Sequence, residues 1–428
     1  MRIKIITMII LIAILLSLFS VPSFAYELST DEAEPSGYYL YNLENDIVMA
    51  SDNLEASISP SSTVKIMTAC IALESNLNKS ELIIVTEEML KGVAGRSMGL
   101  EAGNRLTVED LLYACICGGY NDAAQVLAYT VSGDLQGFVD KMNEKAAELG
   151  MTSTKYLNVT GINASGMYTT VRDIAILAEY MSANDEYVTI CATKSYRVSS
   201  VATCERTTIN NRSSLLASYK GLSSFNTGSG DGDCTVLYYS RNGISLIVVV
   251  MNVKNKDPDD ANNYAEIYSK KLLYHALNDY SVKNVVSSKI SVGSYPVKYT
   301  VSTSTVDVYL QEDIQLFLPN DLDIHNDLTY SVSIDREYLE APLKVGEQVG
   351  YFVVSDDGKI LAKVPLIVKE ELQKNEFLFI LDVMRDYILS RAFAITLITF
   401  ILLMTFWYLR SQKKMKKMYK QTRIKTKK

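Results

Sequence analysis

A serine and a lysine, Ser62 and Lys65, stand three residues apart directly after a segment that favours the start of a helix. Pro60 and Ser61 precede Ser62, and both residue types are common in the first positions of helices. The nearly unbroken apolar run over 66–73 predicts that the helix is buried. At this spacing the hydroxyl and the amine lie on one face. Because burial disfavours a charged lysine, the Lys65 amine can accept the serine proton.

The pair therefore predicts nucleophilic catalysis, and the helix N-terminus adds N–H groups where an oxyanion would form. A structural interpretation uses the same residues: Ser62 caps the helix and Lys65 extends its stem to solvent. The motif is too short to separate the two alternatives. His275 and His325 are the only histidines, and neither lies in a motif-like context. This favours a lysine base over a histidine base.

The cysteines do not indicate a metal site or a disulfide scaffold. The chain has six, and no two of them form a CxxC pair. Cys70, Cys115 and Cys117 lie in apolar helical runs and are expected to be small core residues. One disulfide in an exported protein stays open as an alternative. We expect no metal and no cofactor.

The two ends of the chain predict export and membrane attachment. Residues 1–25 have the pattern of a signal peptide, with Arg2 and Lys4 before an apolar core and a small-residue cleavage site at Ala25. An uncleaved anchor is the alternative. Residues 392–409 are continuously apolar and long enough to cross a bilayer. The basic tail over 410–428 predicts a cytoplasmic C-terminus and a cell-membrane protein whose main part lies on the extracytoplasmic face.

The charge distribution argues against a nucleic-acid partner. The formal net charge is −7, but 12 of the 42 basic residues lie in the signal sequence and the tail. The region between them carries the other 30 basic residues and all 49 acidic ones, a net charge of −19. Such an acidic exported region is a poor nucleic-acid binder. The basic tail suits anionic lipid beside a membrane span.

Two domains are expected between these ends. Residues 26–281 begin with a hairpin whose strands lie over 38–43 and 47–50, and helical patterns then dominate to about Ser182. A second hairpin turns at Arg241-Asn242-Gly243. A helix over 262–277 closes the domain. Residues 282–370 carry short β-rich runs separated by turns and predict a small all-β domain. Residues 371–391 predict a helical, charged stalk.

Three further strings could belong to a site with Ser62. Asn121 is expected in a loop between two helical stretches, with its amide facing a cleft. Asn226-Thr227-Gly228 precedes a strand that begins near Cys234, and a glycine there lets a ligand backbone come close. Asn158-Val159-Thr160-Gly161 is the third string. Each of them alone is typical of an ordinary turn or cap.

Together with Ser62-Thr63-Val64-Lys65, these strings resemble the serine-type D-alanyl-D-alanine carboxypeptidases, the low-molecular-mass penicillin-binding proteins. The resemblance covers residues from about 37 to 280. It continues in the small β domain at Ala341–Gly346 and at Val364-Pro365-Leu366. It implies an α/β (α+β) fold: a penicillin-binding/transpeptidase-like domain with an antiparallel sheet flanked by helices, then a small β domain and a C-terminal transmembrane helix.

The resemblance also implies a chemistry and its residues. The family's serine attacks the D-Ala–D-Ala bond of the peptidoglycan stem peptide, and β-lactams are the other expected ligands. Ser62 would be the nucleophile, Lys65 the base and Asn121 the residue that holds the substrate amide. The substrate-binding strand would carry Asn226, Thr227, Gly228 and Ser229. The backbone N–H groups of Ser62 and Ser229 would form the oxyanion hole.

Two positions depart from the family pattern. Gly119 stands where the second motif has a serine, and Asn226 stands where the third motif has a lysine. Without the serine, the proton reaches the leaving amine through Lys65 alone or through a water. The lysine would bind the substrate carboxylate, and a hydrogen bond to a charged group contributes about 1.5–3 kcal/mol. Loss of this hydrogen bond would weaken substrate binding by about 10- to 150-fold.

Three hypotheses follow. The first is a membrane-anchored carboxypeptidase that removes the terminal D-Ala with low activity. The second is a non-catalytic relative that binds stem peptide or an envelope partner. An amidase or esterase that uses the same nucleophile is the third. Intact Ser62, Lys65 and Asn121 favour an enzyme, and Gly119 and Asn226 favour the binder.

Overall fold

The structure is a computed structural model that describes residues 34–254 and 263–425, with side chains to residue 416. The predicted signal peptide, residues 1–25, lies outside the described residues. The chain divides into two compact units. The first runs to Lys283 and includes the short segment Leu316–Leu322; the second comprises Asn284–Gln315 and the residues from Asp323 onward.

The first unit contains the strands and helices of the predicted N-terminal domain. Its strands are β1 Gly37–Asn42, β2 Ile47–Asp52, β3 Leu82–Ile84, β4 Arg105–Thr107, β5 Ser195–Arg197, β6 Thr208–Asn210, β7 Leu222–Ser229, β8 Asp233–Arg241 and β9 Ile244–Val253. Its helices are α1 Val64–Glu74, α2 Glu87–Leu90, α3 Val108–Ile116, α4 Asn121–Ser132, α5 Leu135–Glu148, α6 Val171–Ser182, α7 Asp185–Ala192 and α8 Tyr264–Asp279. Strands β10 Tyr280–Val286 and β13 Ile314–Pro319 each span a boundary between the units.

An antiparallel five-stranded sheet in the order β2-β1-β9-β8-β7 forms the centre of this unit. Both predicted hairpins, β1–β2 and β8–β9, are confirmed. The second one turns at Asn242 and Gly243, whose φ angles are +55° and +76°. These left-handed conformations suit the tight turns that match the twist of a hairpin. The order leaves β7 at an edge of the sheet.

Helices cover both faces of the sheet. Alternate residues of β9 enter different apolar clusters: Ile247 and Val249 pack in the cluster that contains α1 and α6, whereas Val248 and Val250 pack in the cluster that contains α8. This period-2 pattern explains why the strand is apolar on both sides. A capping box of Thr107 and Asp110 starts α3. This helix packs with α4 in a further apolar cluster, which also includes Ala72 of α1 and Leu106 of β4.

The second unit contains the predicted small β domain. Its six-stranded sheet has the order β14-β16-β17-β12-β11-β15. The strands are β11 Ser291–Lys298, β12 Thr305–Leu310, β14 Thr329–Ser333, β15 Leu339–Glu340, β16 Gln348–Asp356 and β17 Lys359–Val368. Between β11 and β12 the chain leaves the extended conformation at Tyr299, whose φ is +64°.

Two helices follow the β domain. Helix α9, Glu376–Leu389, occupies the predicted stalk, and many of its large apolar side chains are exposed. Helix α10 spans Arg391–Lys425. Its part over Arg391–Lys416 is, among the described residues, the one helix long and apolar enough to cross a membrane, with a mean hydropathy of 2.1.

Candidate active site

Ser62 lies in the turn of 3₁₀ helix Ser61–Thr63 that leads into α1. The residue before it, Ser61, has a φ of +47°, a left-handed conformation that costs energy for a residue with a side chain. Neighbours hold this conformation in place. The Ser61 hydroxyl donates to Asn252 Oδ1 (3.1 Å), and the Asp231 N–H donates to Ser61 Oγ (3.2 Å). The backbone that presents Ser62 is therefore fixed by residues at the end of β9 and after β7.

Lys65 is buried one turn further into the helix. Its Nζ donates to the Thr160 carbonyl at 2.6 Å. Burial lowers the pKa of Lys65 to about 8; a Cys115 thiolate would oppose this shift, and the positive charges of Arg212 and Arg96 add to it. Lys65 therefore loses its proton at a much lower pH than an ordinary lysine does. A neutral amine beside the serine can act as a base.

A tight loop presents the Thr160 carbonyl to Lys65. Asn158 Oδ1 accepts the N–H groups of Thr160 (3.1 Å) and Gly161 (2.8 Å), an arrangement typical of an Asx turn. Gly161 has a φ of +85°, and a Cβ there would lie 1.8 Å from the Ser61 carbonyl oxygen. Only glycine allows this approach to the nucleophile's backbone.

Strand β7 passes directly beside Ser62. Asn226 Nδ2 donates to Ser62 Oγ at 3.1 Å. A Cβ on Gly228 would lie 2.3 Å from the same oxygen, so the glycine makes room for the serine hydroxyl. A β-bulge at residue 225 precedes these two residues, and bulges commonly redirect side chains next to functional sites. The structure therefore brings Asn226 and Gly228 to Ser62.

The other two residues expected on this strand point elsewhere. The Thr227 hydroxyl contacts Ser224 Oγ at 3.0 Å and Glu266 Oε1 at 3.5 Å, on the α8 side of the sheet. Ser229 ends β7 and its side chain is exposed. The Thr227 hydroxyl is therefore engaged away from Ser62.

Asn121 is the first residue of α4, not a loop residue as expected. Tyr120 is the residue that caps the helix, so the turn ends one residue earlier than the pattern indicates. The Asn121 side-chain nitrogen donates to the Ala94 carbonyl (2.7 Å), and its backbone N–H donates to the Arg96 carbonyl (2.7 Å). Within the described ranges its side-chain oxygen accepts no hydrogen bond. That oxygen can receive the N–H of a ligand amide.

Asp122 is a positioning residue that the sequence analysis missed. Its buried carboxylate accepts the N–H groups of Met98, Gly99 and Leu100 at 3.0–3.1 Å and the hydroxyl of Ser97. The loop over 92–100, which contacts Asn121, is thereby tied to the start of α4. No spacing rule pairs Asp122 with a loop so far along the chain.

Arg212 is the second residue that the sequence analysis missed. Its Cδ lies 3.0 Å from the position that a Cβ on Gly119 would take, and its Nη1 lies 2.7 Å from that of a Cβ on Gly228. Arg212 thus spans the gap between the two motifs and reaches the nucleophile. Burial, together with the nearby Arg96, lowers the pKa of its guanidinium.

A buried carboxylate on α8 holds the segment that carries Arg212. Glu266 accepts the Ser214 N–H (3.1 Å) and hydroxyl (2.7 Å), and also the Ser213 hydroxyl. Because the same carboxylate contacts Thr227, it connects this segment to β7. In the part of the chain that the structure describes, no group of three or more His, Cys, Asp or Glu side chains could hold a metal ion.

An SxxK serine at the start of a buried helix, facing the edge strand of an antiparallel sheet, defines a penicillin-binding-protein fold. The chain belongs to the D-alanyl-D-alanine carboxypeptidase family, whose model matches residues 26–255. Residues 280–374 match the C-terminal domain of penicillin-binding protein 5. The predicted family, fold class and serine-type carboxypeptidase class are confirmed.

Curated relatives match most of the chain. D-alanyl-D-alanine carboxypeptidase DacF of Bacillus subtilis is 26% identical over 390 residues, 88% of this chain and 97% of its own. DacC of Escherichia coli is 26% identical over 379 residues, 85% of this chain and 90% of its own.

Among solved structures, penicillin-binding protein 5 of Haemophilus influenzae has a TM-score of 0.61 at 21% identity, covering 81% of this chain and all of its own. The Streptomyces K15 DD-transpeptidase has a TM-score of 0.51 at 25% identity, covering 58% and 98%. The first of these likenesses supports the fold alone.

Proposed function

We propose that the protein is a membrane-anchored serine carboxypeptidase that removes the terminal D-Ala of peptidoglycan stem peptides through an acyl-enzyme on Ser62. The observation that carries this proposal is the placement of the Ser62 hydroxyl against β7, with buried Lys65 one turn away and its pKa lowered to about 8. The family membership and the names of the relatives supply the substrate class.

The proposed reaction has two steps. Neutral Lys65 takes the Ser62 proton as Oγ bonds to the scissile carbonyl carbon, and the C–N bond breaks with that proton passing to the leaving D-Ala amine. Water then attacks the ester carbon, Lys65 accepts a proton from it, and Ser62 regains a proton as the C–O bond breaks. The negative charge formed in both steps would lie near the N–H groups of Ser62 and Ser229.

The edge position of β7 supports a docking mode for the peptide. An unpaired strand edge can bind an extended ligand as an additional strand. The side chain of Asn121 would receive the ligand amide N–H through its free oxygen. Asn226 donates a hydrogen bond to Ser62 Oγ without carrying a charge, so we expect it to orient the nucleophile while activating it less than a cation would.

Labelling with a β-lactam tests this function. Incubation with a fluorescent penicillin should leave a covalent adduct on the peptide that contains Ser62, detected by gel and by mass spectrometry. Ser62→Ala should abolish the adduct, and Ser80→Ala, a change at an exposed turn, should leave it at the native level. Absence of any adduct after long incubation at high penicillin concentration would overturn the proposal.

One contact favours the non-catalytic alternative, a protein that binds stem peptide. Lys65 Nζ donates to the Thr160 carbonyl, and among the described residues no hydrogen bond joins it to Ser62 Oγ. In a binder, the native protein and Ser62→Ala would bind a D-Ala-D-Ala peptide equally while neither releases D-Ala. Release by the native protein alone would exclude this alternative.

We also propose that the anchor is α10 and that the first unit and the small β domain lie on the extracytoplasmic face. The length and hydropathy of Arg391–Lys416 support the anchor. The run of basic residues after 409 supports a cytoplasmic C-terminus.

A further inference from the structure

We propose that a cavity behind the active-site loops is a second ligand site, which binds an uncharged aliphatic amide such as an amidated amino acid. The cavity has a volume of about 330 Å³, which is in the range of small-molecule sites. Helices α4 and α5 form one wall, and the loops over 92–94 and 157–164 form the other. The inference goes beyond the proposed function and does not depend on it.

Gln125 of α4 supplies a buried hydrogen-bond acceptor to this cavity. The residue is 6% exposed, and its Nε2 donates to the carbonyls of Met89 (3.0 Å) and Lys91 (2.7 Å). Because only the NH₂ end of an amide can donate to a carbonyl, these partners fix which way the side chain points. Within the described ranges Oε1 accepts no hydrogen bond, and it is not sealed in the core. A ligand N–H that reaches this oxygen satisfies a buried acceptor.

Two further amide side chains present the same chemistry at the rim. Gln136 Nε2 donates to Asp140 Oδ1 at 2.9 Å. Asn163 Nδ2 donates to both carboxylate oxygens of Asp231 at 2.9 Å. The nitrogens are thus engaged, whereas no described residue donates to the side-chain oxygen of Gln136 or Asn163. The lining is therefore rich in acceptors.

The charge of the lining selects the kind of ligand. No Lys, Arg, His, Asp or Glu lines the cavity among the residues that the structure describes. Burying a charged group without an opposite charge is costly. A carboxylate would face amide oxygens, and an ammonium would meet no carboxylate in the lining. An uncharged group with N–H donors, such as a primary amide, fits best.

Aliphatic side chains form the rest of the walls. Leu135 and Val139 of α5 lie on one side, and Leu157 and Ile162 lie on the other. Leu157 and Ile162 are 39% and 40% exposed, high values for large apolar side chains. A branched aliphatic group seated between these walls would remove apolar surface from water on both sides. The ligand therefore combines an aliphatic body with an amide.

The cavity lies behind two contacts of the candidate active site without including its side chains. Thr160 lines the cavity, and its carbonyl accepts Lys65 Nζ. Ala94 also lines it, and its carbonyl accepts Asn121 Nδ2. Lys65, Asn121 and Ser62 are not lining residues. The two sites share loop backbone but no side chain, so a ligand can occupy the cavity while Ser62 carries an acyl group.

Photo-crosslinking of the full-length protein in detergent tests the proposal. The probes are N-acetyl-leucinamide with a diazirine in its side chain and the matching N-acetyl-leucine, which has a carboxylate in place of the amide. After irradiation, mass spectrometry should find the amide probe on peptides over 135–139 and 157–164, and excess N-acetyl-leucinamide should displace it. The carboxylate probe should label these peptides at least about tenfold less, because it replaces a donor with an acceptor.

Two variants separate the cavity from the rest of the surface. Ala164→Met fills the cavity and should abolish the labelling, whereas Ala183→Met adds the same side chain at the exposed end of α6 and should label as native. Thermal unfolding of both variants shows whether they are folded. Gln136→Met removes one exposed rim acceptor without entering the core. It should lower labelling by the amide probe about 2- to 10-fold and provides the test if Ala164→Met does not fold.

The state of Ser62 distinguishes this site from the substrate cleft. Ser62→Ala and penicillin-treated native protein should both label as native. If penicillin forms no adduct, the catalytic proposal fails while labelling of the cavity still supports this site. Displacement of the amide probe by penicillin or by a peptide that ends in D-Ala-D-Ala would overturn the second site. Equal labelling by both probes, spread over the exposed apolar faces of α9 and α10, would overturn it as well.

Discussion

Individual residues of the active site are held by main-chain contacts that allow little variation. Gly161 lies against the Ser61 carbonyl, and the left-handed Ser61 in turn sets the position of Ser62. On the other side Gly228 leaves space for the serine hydroxyl. Steric requirements at Gly161 and Gly228 therefore act together with hydrogen bonds in positioning Ser62.

Gly161→Ala should lower the rate of β-lactam acylation at least tenfold. Its Cβ would meet the Ser61 carbonyl oxygen at 1.8 Å, so the backbone that presents Ser62 must shift. Gly166→Ala is a matched control, because Gly166 also has a positive φ (+90°) but its Cβ would approach only Leu157, at 3.9 Å. Both variants share the backbone strain of about 1 kcal/mol. Equal acylation rates in the two would contradict the role given to the Gly161 contact.

The acylation rate should rise with pH and level off above a midpoint near 8. Only the neutral Lys65 amine accepts the serine proton, and burial lowers its pKa to about 8. Stopped-flow acylation between pH 6 and 10 on intact protein would measure the profile. Burial raises the pKa of the Cys115 thiol to about 12, so that thiol is uncharged near pH 8 and Cys115→Ala should leave the midpoint in place. A rate independent of pH across this range would argue against Lys65 as the base.

At the scale of secondary-structure elements, the site depends on loops fixed by buried carboxylates. Asp122 at the start of α4 ties down the loop over 97–100, and Glu266 of α8 ties down the residues after Arg212. These carboxylates bind backbone N–H groups that no helix or strand would otherwise satisfy. The loops are therefore part of a rigid site.

Asp122→Asn should destabilise the protein by about 1.5–3 kcal/mol, the contribution of hydrogen bonds to a charged group. The asparagine NH₂ would face the backbone N–H donors of the loop, where only an acceptor fits. Urea unfolding of the native protein and the variant gives the difference in their free energies of unfolding. Asp134→Asn is the control, because Asp134 caps α5 by accepting the Gly137 N–H and asparagine caps as well as aspartate. If Asp122→Asn and Asp134→Asn lose a similar amount of stability, the loop does not depend on the negative charge of Asp122.

The elements that could be predicted from the sequence are those whose signals are local. The apolar run after Lys65 predicts a buried α1, and Asn242-Gly243 predicts the hairpin turn; the structure has both. The prediction of Asn121 as a loop residue is wrong, because the turn before α4 ends one residue earlier than the pattern indicates. Arg212 lies between β6 and a 3₁₀ helix in a segment without periodicity. Its approach to Gly119 and Gly228 depends on tertiary packing, so no spacing rule could reveal it.

At the scale of the whole molecule, the proposed topology joins an acidic region outside the cell to the candidate anchor α10 and a basic tail. A net charge of −19 between the signal sequence and the tail repels anionic lipid, whereas the tail attracts it. Both charges therefore favour the same orientation across the membrane.

Protease added to intact spheroplasts should digest the first unit and the small β domain and spare a small C-terminal fragment. That fragment should contain Lys413 and the rest of the tail, because α10 and the cytoplasmic side shield it. Mass spectrometry of the membrane fraction identifies the fragment, and lysed spheroplasts serve as the control in which the tail is also cleaved. Protection of the large N-terminal unit in intact spheroplasts would contradict the proposed orientation.

The carboxylate of Glu266 also has a consequence for the order in which the enzyme matures. It belongs to the last helix of the first unit, yet it fixes Ser213 and Ser214 beside Arg212 and contacts Thr227 of β7. A chain that crosses the membrane N-terminus first delivers Ser62 and Lys65 some two hundred residues before Glu266. The proposed nucleophile and base therefore emerge early, whereas Ser213, Ser214 and Thr227 gain their contacts with Glu266 only when α8 docks. An export intermediate halted before α8 would carry the proposed nucleophile while the segment beside β7 still lacks the carboxylate that holds it.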